Sequence, residues 1–243
     1  ILDALAEPQA ASRDAAQQEA DRRQAIEVEG KEAAAARKHA AGYLFEDRIV
    51  PLVPYAIRGV VWYQGEANSY TIHADLYGRQ LAVMITDWRK RWGYDFPFIS
   101  VQLPDFQKPQ TLPVESSGRA LVRDGVLQSL RLPNTGMAVT LGTGEAASNH
   151  PRNKQEVGRR VALWALATVY KQRDVVPSGP LPDAYRIADG KIIVSFAYAD
   201  GLAAQGGELE GFAIAGHDQK WVWAQAHIDG NTVIVSHPAV KEP

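Results

Sequence analysis

Large apolar side chains are sparse over residues 1–41, where Ala, Glu, Gln, Lys and Arg dominate and Gly30 is the one glycine. Such a stretch favours helix by propensity, yet offers no sustained apolar heptad to bury, so it predicts one or two solvated helices forming an insertion without chemistry of its own. From Ile49 the pattern changes. Ile49 to Ile57 is apolar but interrupted by Pro51 and Pro54, which predicts an extended approach. Arg58 to Tyr63 then reads as a short buried strand that runs into the polar loop Gln64-Gly65-Glu66-Ala67-Asn68. An amphipathic helix is predicted over 72–92, with Leu76, Leu81, Met84, Ile85 and Trp88 on one side. A strand over 96–101, a helix over 121–130, a strand over 137–141 and a helix over 154–170 complete the series.

Strands alternating with helices predict the α/β class, with a mostly parallel sheet covered on both faces. Ligands of such sheets sit beyond the carboxyl ends of the strands, which draws attention to the loops after Tyr63 and after Leu141. Past Ser178-Gly179-Pro180 the chain turns to short strands at 191–196, 211–214, 220–223 and 232–235, with Asp189-Gly190 and Asp229-Gly230 as hairpin turns. Trp221 and Trp223 alternate with Val222 there, which reads as one face of a strand. The organisation expected is therefore a helical insertion over 1–41, an α/β core over 42–177 and a small all-β appendage over 178–243.

Composition narrows the function. Hydrophobic residues make up 46% and charged residues 22% of the 243, as in an ordinary folded chain. A formal charge of −2 provides no field for nucleic acid or anionic lipid, and suits a neutral or mildly polar ligand. The absence of cysteine removes disulfides, thiolate catalysis and Cys-built metal sites. No apolar run has the length a bilayer requires, and a chain opening at Ile1-Leu2-Asp3 is expected to be a processed or truncated product.

Two loops could do chemistry. Gln64 and Gly65, directly after a buried strand, bring a carboxamide and a backbone N–H to the sheet's rim, as an oxyanion hole requires. The plainer alternative, a strand-to-helix loop in which Glu66 caps and Asn68 closes a turn, weighs more on residue chemistry alone. His150, in Ser148-Asn149-His150-Pro151, stands on a loop just before a helix, where an imidazole can act as general base. His39, His73, His217, His227 and His237 fall on helices or in the appendage and read as surface or interstrand residues. No second histidine or paired carboxylate sits at ligand spacing beside His150, and no Gly-rich loop opens a helix, so neither a metal nor a phosphate site is read.

Taken together, Pro51 to Gly59 running into Trp62-Tyr63-Gln64-Gly65-Glu66, then Asp87-Trp88-Arg89, Leu132-Pro133-Asn134-Thr135-Gly136-Met137, and His150-Pro151-Arg152-Asn153-Lys154 with Val157-Gly158-Arg159-Arg160, closely resemble the sialate O-acetylesterases in order and spacing. The resemblance reaches the tail segment from Leu209 to Gly216. It implies a flavodoxin-like SGNH hydrolase core, partial here, that removes acetyl groups from sugar hydroxyls by way of an acyl-serine. On that resemblance His150 is the catalytic base, Gln64 and Gly65 help to hold the oxyanion, and Glu66 orders their loop. An acetylated carbohydrate is the substrate, and no cofactor or metal is called for. The family's exported or lysosomal setting implies a periplasmic or secreted protein.

Two departures accompany the resemblance. The family's Gly-Gln-Ser-Asn nucleophile block does not occur in this sequence, so the chain is expected to be the rear portion, with the serine on a segment or subunit outside it; Ser116, Ser117 and Ser148 lie in other blocks. Ser148 and Gly142 stand where the family places aspartates. A serine hydroxyl can accept from an imidazole N–H but cannot neutralise an imidazolium, and Glu145 is the nearest substitute in the chain. The alternative from another class is a catalytically inactive carbohydrate-binding homologue.

Overall fold

Val60, Val61 and Trp62 form strand β1 (Val60–Trp62), which pairs in parallel with β2 (Phe98–Val101), itself parallel to β3 (Thr135–Ala138), in the order β1-β2-β3. β2 is buried at all four positions, as a central strand covered on both faces should be. These elements belong to a computed structural model that describes residues 17, 19–20, 22–31, 35, 40, 42–113 and 117–243. The described chain divides into two compact units, 1–56 and 57–243.

In the first unit residues 22–31 are helical and exposed, with Arg23 on Glu19 and Lys31 on Glu27 at i,i+4 spacing. Much of the helical stretch expected over 1–41 lies outside the described residues. A six-residue helix α1 (Tyr43–Arg48) follows, and Pro51 sits in the single 3₁₀ turn Val50–Leu52, in place of the extended approach.

In the second unit helix α2 (Tyr77–Trp92) joins β1 to β2, α3 (Gly118–Gln128) joins β2 to β3, and α4 (Lys154–Trp164) follows β3. The parallel register sets Trp62, Ser100 and Met137 on one face of the sheet and Val61, Ile99 and Gly136 on the other. On the first face Trp88 of α2 meets Trp62 and Phe98 edge-on, and those two rings lie tilted against each other. The other face takes α4, whose Val157 and Val161 pack on Val101 and Ala138 and whose Trp164 lies over Gly136. Helices thus cover both faces of β2 and β3, whereas β1 is open on the α4 side, where Val61 is 58% exposed, in place of the buried strand expected there.

Several expected boundaries move, each for a local reason. The helix expected from Ile72 starts at Tyr77, because the Ser69 and Thr71 hydroxyls bond back to the carbonyls of Glu66 and Asn68 and hold the chain in 3₁₀ turns. The strand expected from Phe96 starts at Phe98, after Pro97. The helix expected from Leu121 starts at Gly118, because the Ser117 hydroxyl caps it by accepting from the Ala120 N–H. α4 ends at Trp164 and passes into a π-helical turn, Ala165–Val169, where the Thr168 hydroxyl donates to the Trp164 carbonyl.

Arg89 of α2, 7% exposed, donates to the carbonyls of Phe96, Pro133 and Asn134 at 2.8 to 3.1 Å. The Asp87-Trp88-Arg89 segment is therefore structural: Trp88 fills the core and Arg89 ties the amino ends of β2 and β3 to the helix.

The appendage is a four-stranded antiparallel sheet in the order β4 (Leu181–Ala188), β5 (Lys191–Ala197), β9 (Thr232–Ser236), β8 (Gln225–Asp229), beside a two-stranded ribbon of β6 (Ala213–Ile214) and β7 (Val222–Trp223). Asp189 and Gly190, both at positive φ, make the β4–β5 hairpin turn. Ile214, Val233, Val235 and Val240 form its small core.

Candidate active site

The carboxyl end of β1 delivers Tyr63 and then Gln64. The Gln64 carboxamide is oriented from both sides: its Nε2 donates to Asn68 Oδ1 at 2.8 Å, and its Oε1 accepts from the Tyr77 hydroxyl at 3.2 Å. An amide nitrogen has two protons, so one remains for a ligand. Tyr77 has one hydroxyl proton, shared between that Oε1 and the nearer Gln64 carbonyl at 2.7 Å, and burial raises its pKa. Gly65 is buried at φ +143°, and a Cβ there would come within 2.8 Å of a Val122 methyl and 3.4 Å of the Tyr77 ring. Only glycine fits that bend against α3 without displacing its neighbours. Glu66 makes its turn through its carbonyl, which accepts from both the backbone and the hydroxyl of Ser69, while its carboxylate caps no helix among the described residues.

The second loop is held by its backbone. The Thr140 hydroxyl donates to the Gln102 carbonyl, and Asp105, beyond the end of β2, accepts the N–H of Gly142 at 2.8 Å and of Gly144 at 3.1 Å. Burial opposes the Asp105 charge, but those two N–H groups, aided by Arg123, outweigh it and hold its carboxyl below the ordinary range. A Cβ added at Gly144 would overlap the Asp105 carbonyl oxygen. Glu145 accepts the Arg152 N–H at 2.7 Å and faces the Arg152 guanidinium at 3.5 Å; that backbone N–H first, then the cation, lower its pKa. Ser148 Oγ accepts the His150 backbone N–H at 3.0 Å. The imidazole of His150 is exposed and has no hydrogen-bond or ion-pair partner among the described residues, whereas Pro151 beside it is buried and fixes the loop.

The two loops meet. Asn149, next to His150, donates to the Tyr70 hydroxyl at 3.4 Å, and the Lys154 ammonium lies 4.9 Å over the Tyr63 ring. Arg119, at the start of α3, donates to Asn149 Oδ1 at 3.0 Å and to the Pro104 carbonyl, and stacks on Phe106. Burial first, then the Glu66 charge, raise the Tyr63 pKa against the pull of Arg119. His150, Gln64 and Gly65 therefore belong to neighbouring segments at one end of the sheet, while Ser148 and Glu145 are committed to backbone and Arg152. Asp105, Arg119 and Asn149 were not singled out from the sequence. Asp105 lies past the carboxyl end of β2, where the topology rule could have found it. Arg119 and Asn149 are 30 positions apart, and no local pattern joins them. Ser116 lies outside the described residues, and Ser117 serves as a helix cap. Among the described residues no group of three His, Asp or Glu side chains converges to hold a metal, and no helix is long and apolar enough to cross a membrane.

Residues 39–165 match the family model described as carbohydrate esterase, sialic acid-specific acetylesterase. The human sialate O-acetylesterase is 30% identical over 201 residues, which cover 74% of this chain and 38% of the relative; the mouse protein is 29% identical over 187. A crystal structure of a carbohydrate acetylesterase from Xanthomonas citri superposes with a TM-score of 0.73 at 38% identity, covering 82% of this chain and 46% of that one. The chain thus spans a little over a third of the length of the curated relatives it matches.

Proposed function

The chain belongs to the sialic acid-specific acetylesterase family of carbohydrate esterases, and on that premise we propose that it carries the histidine half of an O-acetylesterase site. A serine from a segment outside these 243 residues attacks the acetyl carbonyl carbon, and His150 takes the serine proton. The oxyanion is held by the Gln64 carboxamide and the Gly65 N–H. The bond from the acetyl carbon to the sugar oxygen then breaks, and His150 returns the proton to that oxygen. Water, deprotonated by the same imidazole, releases acetate from the acyl-serine. Sialic acid and other acetylated glycans are the substrate class. On this reading 1–41 is an insertion, 42–177 the rear of the hydrolase core and 178–243 its β domain.

The contact between the two loops, through Asn149 and Tyr70 and through Lys154 and Tyr63, supports the reading most directly. The test combines the chain with the upstream part of its protein and follows acetate release from an acetylated chromogenic ester. We expect activity from the combination and none from the chain alone, with His150→Ala lowering the rate by about 10⁴-fold or more. Full activity from the isolated chain, or from the His150→Ala combination, overturns it.

One observation favours a second reading, an inactive carbohydrate-binding homologue: Ser148 is spent on the His150 backbone, and no carboxylate is paired with the imidazole among the described residues. Ser148→Asp separates the two. A rise in turnover identifies an esterase short of its acid, and unchanged silence with retained sugar binding identifies the binding protein.

A further inference from the structure

Residues 221–229 run nearly extended through β7 and β8, and exposure alternates along them without a break. Val222, Ala224, Ala226 and Ile228 pack on the appendage core. Trp221, Trp223, Gln225 and His227 face outward at every second position, a row about 20 Å long at strand spacing. Trp221, just before β7, and Trp223, within it, are 41% and 39% exposed, a large apolar area for a surface with nothing to bind. Trp223 is not loose: its indole N–H donates at 2.9 Å to the Thr111 carbonyl, which fixes the plane of the ring. Beside the row lies a groove of about 1150 Å³, walled by Trp223, Gln225 and His227, by Phe212 and Glu210 and by Gln110.

We propose that this groove binds an uncharged polysaccharide chain, a site separate from the one built around His150. The apolar faces of sugar rings stack on indoles, and their hydroxyls pair with carboxamide, imidazole and carboxylate groups of the kind present. Charge decides between glycan classes. The groove's described lining holds two carboxylates, Glu208 and Glu210, and no lysine or arginine. A sialylated or uronic-acid chain would meet like charge there without a counter-cation; a neutral chain meets only hydrogen-bonding groups. The connection that leaves β2 supplies Pro109 and Gln110 to this groove, the Thr111 carbonyl to the Trp223 indole and Asp105 to the His150 loop, so one segment serves both places. The inference rests on the carbohydrate-esterase reading for the class of ligand, and it deepens that reading by naming a neutral polymer as the carrier of the ester.

The test is affinity electrophoresis of the full chain in gels containing soluble, unacetylated β-glucan, arabinoxylan or mannan, with polysialic acid as the charged control. Because no ester is present, failure here is independent of failure to release acetate. At least one neutral polymer should retard the chain and polysialic acid should not. Trp223→Ala should weaken binding about tenfold, and Gln225→Ala about threefold. Thermal melting identifies any variant that does not fold; if Trp223→Ala is one, Gln225→Ala on the same wall decides by its loss of about threefold. No retardation by any neutral polymer, equal retardation by polysialic acid, or folded Trp223→Ala and Gln225→Ala variants that bind like the parent would each overturn the proposal.

Discussion

The loops that follow β1 and β3 reach the same end of the sheet prepared in opposite ways. After β1 the side chain itself is fixed, with the Gln64 carboxamide pinned between Asn68 and Tyr77. After β3 the backbone is fixed, by Asp105, Ser148 and the Glu145 carboxylate, while the His150 imidazole has no partner among the described residues. A donor that must meet charge at a set position gains from rigidity. A base that must accept and return a proton needs a settled mount and an open nitrogen. Each loop also depends on one glycine for a different reason: Gly65 for a bend and a tight fit against a methyl, Gly144 for a carbonyl where a Cβ would stand.

That contrast can be broken at three points. The largest effect is expected from Gln64→Ala in the complete protein. If the carboxamide acts on the oxyanion, kcat falls about 10²-fold or more with KM little changed, read from initial rates on an acetyl ester. A rise in KM at constant kcat would make Gln64 a ground-state contact instead. Next is Gly144→Ala, which forces a methyl into the Asp105 carbonyl and should cost about 3 kcal/mol in urea unfolding, while Gly142→Ala, with open space around its Cβ but φ +80°, should cost about 1 kcal/mol. Equal losses would show that no backbone overlap separates the two positions. The smallest effect lies on α4, where hydrogen bonds from Arg159 and then Arg160 pull the Glu156 carboxyl down to about 2. A folded-state pKa below the ordinary carboxylate value means that the stabilisation is present above the unfolded pKa and is lost as pH falls toward 2. Urea midpoints taken around pH 6 and around pH 3 should therefore differ less for Glu156→Gln than for the parent.

β2 and β3 were legible because buried apolar runs between loop signals leave little choice of element; β1 was legible as a strand but not as an exposed one, since Val61 is apolar and faces out. β4 and β8 were not legible. Leu181–Ala188 is exposed over most of its length and contains Pro182 and Asp183, and Gln225–Asp229 places alanine and isoleucine where only the pairing with β9 makes them a core face. The π-helical turn after Trp164 leaves no mark on apolar spacing, since it follows from a side-chain bond to the carbonyl four residues back. At the candidate site, residue chemistry alone leaned toward a plain loop around Gln64, and the order of several motifs, not any one of them, brought Gln64 and His150 forward. Asp105 and Arg119 act across 37 and 30 positions, distances at which sequence spacing carries no information until the fold is known.

Arg89 gives the molecule a polarity beyond that of its strands. One planar cation gathers three carbonyls at the sheet's amino edge, a fork that a lysine ammonium could not match in shape. With strand alignment anchored there, the loops at the opposite rim can vary without the sheet slipping. Durability is concentrated at one pole and chemical variety is left to the other.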